Sequence, residues 1–97
     1  MEVLRPKKLE TQPGDQVIPW AGRQLELAGE IVDNPGGGLL FATQTIGQVR
    51  AALQERDADR WAEVVAILER AEDQAVHREF DDSRHLLARA IEKLTPK

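Results

Sequence analysis

Arg23-Gln24-Leu25-Glu26-Leu27 decides how the first half of this chain is read. Polar and apolar residues alternate through these positions, which is the period of a strand with one buried face. Glu30-Ile31-Val32 continues the strand past a bulge at Gly29. Downstream, Asp33-Asn34-Pro35-Gly36-Gly37-Gly38 is a loop, and Leu39-Leu40-Phe41-Ala42 is an apolar run suited to the returning strand of a wide hairpin. Upstream, Pro13-Gly14-Asp15 forms a turn into Gln16-Val17-Ile18, a short strand that Pro19 stops or confines to a sheet edge.

Glycine and proline sharpen the division. Six of the seven glycines and four of the five prolines precede Leu39, whereas the stretch from Gln48 to Thr95 contains neither, the condition for long helices. Thr45-Ile46-Gly47-Gln48 has the spacing of a capping box, and Ile46, Val49 and Leu53 form one apolar stripe. The stripe lapses at Gln54-Glu55-Arg56-Asp57. Asp57 or Asp59 then caps a helix carrying Trp61, Val64, Val65, Leu68, Ala71 and Ala75. Asp81-Asp82-Ser83 opens a third segment, which runs through Leu86, Leu87, Ala90, Ile91 and Leu94 until Pro96 ends it.

A turn across residues 76–82 is preferred to one rod from 59 to 95, because paired acids are poor in a helix interior and the rod would need a partner along its length. The expected fold is α+β in a single domain. A short β-meander or hairpin region occupies residues 1–42, and two or three amphipathic helices in 43–97 pack as an antiparallel helical hairpin.

Two resemblances accompany this reading. Pro13-Gly14-Asp15-x-Val17 followed by Gly29-x-Ile31-Val32 resembles the turns of small SH3-like barrels. Phe80-Asp81-Asp82-Ser83 through Ala90 resembles the second helix of a tetratricopeptide repeat, with Ser83 and Ala90 as the small residues and Leu87 as the large one. The first-helix signature of that repeat is incomplete and no second copy follows, so neither family is assigned.

Composition narrows the function. The chain has 97 residues, of which 41% are hydrophobic and 31% charged, values of a globular protein rather than a disordered one. Its aromatics are Trp20, Phe41, Trp61 and Phe80, so the core is built from aliphatic side chains. The absence of cysteine excludes disulfides, thiolate metal sites and cysteine nucleophiles. The net charge of −4 exerts no general pull on nucleic acid or anionic lipid. No apolar targeting or spanning run is present, and the expected location is cytoplasmic.

Candidate sites are sparse. Asp73, His77, Asp81 and His85 recur every four residues, and on one continuous helix His77, Asp81 and His85 could share a metal ion; a hairpin breaks that face. Gly36-Gly37-Gly38 could offer backbone N–H groups to a phosphate, but no Lys-Ser or Lys-Thr follows, and Leu39 to Thr43 separate the glycines from the expected helix. Ser83, the only serine, is placed to cap a helix rather than to attack a substrate. Arg5, Lys7 and Lys8 form a basic arm, the basis of an alternative reading as a small nucleic-acid-associated regulator.

The primary expectation is a non-enzymatic protein–protein interaction or assembly module that self-associates or joins a larger complex through its helices. Trp20, Trp61, Val65 and Leu68 are its expected contact residues. No cofactor, membrane or small-molecule substrate is expected.

Overall fold

A computed structural model describes residues 14–94 and corrects the first half of the sequence reading. Four helices follow one another: α1 (Gly14–Ile31), α2 (Gly38–Asp57), α3 (Ala62–Val76) and α4 (Phe80–Leu94). Among the described residues 84% are helical and none is in a strand, so the architecture is all-α, not α+β. All three expected strands lie in helices: Gln16-Val17-Ile18 and Arg23 to Ile31 in α1, and Leu39 to Ala42 in the first turn of α2. Thr45 accordingly caps nothing. It is buried in the middle of α2.

The reason is visible in what is buried. Ala21, Leu25, Ala28 and Val32 are spaced 4-3-4, which keeps them on one face of a helix and on both faces of a strand. The same spacing recurs as Ala42, Ile46, Val49 and Leu53 on α2 and as Ser83, Leu87, Ala90 and Leu94 on α4, with Trp61, Val64, Leu68, Ala71 and Ala75 at 3-4-3-4 on α3. Thr45 and Val65 are the only buried described residues outside these stripes. Alternating steps of three and four are what helices use to interdigitate in bundles. One hydrophobic core results, with contributions from all four helices.

Connections are short, which makes successive helices antiparallel neighbours. α1 packs on α2, α2 on α3, α3 on α4, and α4 back on α1, while the diagonal pairs do not pack. The ring is therefore closed, where a solenoid repeat leaves its first and last helices open.

Each junction has its own lock. At the first, Gly36 and Gly37 take positive φ, and a Cβ on Gly38 would collide with the Ile31 carbonyl oxygen. Across α2 and α3, the Arg50 guanidinium donates to both Glu72 carboxylate oxygens, at 2.9 and 3.3 Å. After α3, the Glu79 N–H donates to Gln74 and the Arg78 N–H to Ala75, a Schellman closure with Arg78 at φ 64° where glycine is usual. This turn at 77–79 separates α3 from α4, as the expected hairpin requires. The Ser83 hydroxyl, fully buried, donates to the Ala71 carbonyl oxygen at 2.8 Å. Arg84 closes the ring by donating to the Gly29 carbonyl oxygen at 2.9 Å, one of the acceptors left free in the last turn of α1, and to Asp33 at 2.8 Å.

Candidate interaction surface

The residues singled out in the sequence fall in three places. Trp61, Val65 and Leu68 are 6, 6 and 0% exposed and belong to the bundle's own core, so none is offered to a partner by the folded chain. Trp20 is half-buried on α1. His77 ends α3, while Asp81 and His85 lie on α4 beyond the turn, all three exposed. The continuous ligand face is thus broken. Among the described residues no group of three or more His, Asp or Glu side chains could hold a metal ion. Arg5, Lys7 and Lys8 lie outside the described residues.

The ionisable groups with perturbed protonation serve the scaffold. His77 is raised above its ordinary range because its ring bonds to the Asp73 backbone carbonyl, at 2.8 Å, with the Asp73 carboxylate also nearby. The Asp33 carboxyl is held below its ordinary range by its hydrogen bond from Arg84. The glycines of the first loop adjoin a helix directly, because Leu39 to Thr43 are the first turns of α2 rather than a spacer.

What the folded chain does present is an apolar, uncharged surface centred on α2. The exposed large hydrophobic residues of the described chain are Leu27 at 38%, Leu40 at 62%, Phe41 at 50% and Val76 at 59%. Their positions follow from helix geometry. Arg50 marks the α3-facing flank of α2, and Phe41, nine residues and two and a half turns away, lies on the opposite flank beside α1. Gly29 marks the α4-facing flank of α1, since Arg84 bonds to its carbonyl and Leu87 lies 3.7 Å from where its Cβ would stand. Leu27, about 200° around from Gly29, is turned to the α2 side, as is Trp20 two turns earlier. Val76 follows Glu72 by one turn, on the flank of α3 that meets Arg50. All four exposed residues therefore lie on α2 or on the flanks that border it.

The outermost line of α2 is Leu40, Gln44, Gly47 and Ala51. Each lies two residues before a core residue, about 200° around the helix from it. Arg50 is the only charged residue between Asn34 and Gln54, in a chain that is 31% charged, and its charge is matched by Glu72 and Glu69. An exposed helix face without charge and with an aromatic beside it has the composition of an interface centre. The signal available in the sequence was the uncharged run from Asn34 to Val49. Its first part, Asn34 to Ala42, has the loop and apolar-run signals of a hairpin, which hide the exposure of Leu40 and Phe41.

The fold and this surface together define a closed four-helix bundle in which α2 carries no charge from Gly38 to Val49. No protein-family model, curated protein or solved structure matches the chain. Among the described residues no helix is long and apolar enough to cross a membrane.

Proposed function

We infer that the chain is a non-enzymatic interaction or assembly module that engages a protein partner through the outer face of α2 and its two flanks. One observation supports this: the exposed large hydrophobic residues among those described gather around a single helix. Scattered apolar residues need no explanation, whereas a contiguous patch rimmed by charge marks a contact surface. Arg23 and Glu30, one turn either side of Leu27 on α1, and Glu69 and Asp73 on α3 supply the rim. The core stripes of all four helices are filled by one another, and Leu40, Gln44 and Ala51 on the outer face of α2 stand outside that core.

Photocrosslinking in cells that make the protein tests the reading. A benzophenone side chain in place of Gln44, at the centre of the face, is expected to trap a polypeptide, either another copy or a different protein. The same group in place of Ala88, exposed on α4, is expected to trap none. Equal trapping at both positions, or none at Gln44, would overturn it.

A further inference from the structure

Resting on that reading of the α2 face, we propose that its occupant is a second copy of this chain, packed antiparallel across a two-fold axis between Thr45 and Ile46. The argument begins with the order of side-chain sizes. Leu40, Gln44, Gly47 and Ala51 are spaced 4-3-4, a pattern that reads the same in either direction. Turned against itself, the line sets Leu40 against Ala51 of the partner subunit and Gln44 against Gly47 of the partner subunit. Each large side chain then meets a small one, which is how facing helices interdigitate.

Gly47 gives a second line of support. It sits in a helix interior, where glycine costs stability relative to alanine. Its own fold does not require it: an added Cβ would meet only the flexible end of Arg50, at 3.9 Å, and its φ is ordinary. A place for the partner's Gln44 accounts for the missing side chain.

Charge points the same way. A two-fold axis brings like residues close to like, so in a chain of net charge −4 most faces would set acid against acid. The α2 line carries no charge, and the Gln44 amide, as donor and acceptor at once, complements its own kind. Area is consistent with a real complex. A specific interface covers about 800 Å² per partner, roughly an eighth of the 6181 Å² surface, and the 20 residues of α2 run about 30 Å along one side of the bundle.

The absence of native cysteine makes the test direct. Leu40→Cys and Ala51→Cys are prepared as separate full-length proteins, both at exposed positions, and oxidised alone and as an equimolar mixture. In the antiparallel pair, Leu40 of the two copies stand about 16 Å apart along the axis, too far for a disulfide. The mixture is therefore expected to give the linked dimer and each protein alone to lose it. Light scattering should show the unmodified chain moving from 10.9 kDa toward twice that mass as concentration rises, and Gly47→Glu holding at the monomer mass with an unchanged circular dichroism spectrum.

A linked dimer from Leu40→Cys alone would overturn the antiparallel arrangement. No linked dimer in the mixture, with a monomeric mass at every concentration, would overturn self-association. In that event, trapping of a different protein at Gln44 would leave the interaction module standing, and trapping of nothing would remove both.

Discussion

Arg78 holds a left-handed backbone at the end of α3, a conformation that costs a side chain bearing a Cβ roughly 1–2 kcal/mol. Arg78→Gly should therefore raise the unfolding free energy by about 0.5–1 kcal/mol, read from urea denaturation. Gly38 makes the opposite case. A Cβ there would approach the Ile31 carbonyl oxygen and stand 2.8 Å from the Asn34 Cβ, so Gly38→Ala should cost about 2 kcal/mol or more in the same assay. His77 adds a pH dependence of known sign. Its folded-state pKa lies above the ordinary 6.5, so its contribution to stability is present below pH 6.5 and is lost as pH rises through the folded value. The backbone carbonyl of Asp73 is the larger cause, so Asp73→Asn should lower the His77 midpoint in an NMR titration yet leave it above 6.5.

At the scale of elements, three of the four helices were legible and α1 was not. From Gln48 onward nothing competes with a helical period, and the helices expected to start at Thr45, at Asp57 or Asp59, and at Asp81-Asp82-Ser83 overlap α2, α3 and α4. In α1 two signals conflict. Gly22, Gly29 and Pro19 argue against a helix, and Arg23 to Leu27 alternate over too few residues to separate a strand from a helix. The longer line of Ala21, Leu25, Ala28 and Val32 resolves the conflict, because burial of that line against α2 and α4 outweighs weak local propensity. Pro19 is accommodated near the start of α1, at the loss of one backbone donor. The end of α1 depends on Arg84. Arg84→Gln should speed amide exchange at Asn34, whose N–H bonds to Ile31, more than at Val65 in α3.

For the molecule as a whole, the core and the proposed contact surface are separable by mutation. Trp61→Ala removes a buried anchor and should destabilise the chain by about 3–5 kcal/mol in thermal or urea unfolding, a large share of a small domain's stability. Leu40→Ala, at an exposed position, should leave the unfolding midpoint nearly unchanged while weakening association measured by light scattering. Trp61, Val65 and Leu68 are expected contact residues because buried tryptophan anchors interfaces, and the stripe they share lies inside the bundle. Size on a regular stripe marks the inside of a bundle. The outer face of α2 differs in its missing charge, a signal that begins within the hairpin-like residues 34–42.

The contact between α1 and α4 also sets the order in which the chain can be completed. The other three contacts join consecutive helices across short loops, whereas Arg84 and Gly29 are brought together from opposite ends of the described chain. Closing that long loop carries an entropic cost that the local pairs do not, so the pairs of consecutive helices can form before α1 and α4 meet. Arg84→Gln, which removes a bond of that last closure, should then accelerate unfolding far more than it slows refolding in stopped-flow measurements, the signature of a contact that forms after the rate-limiting barrier.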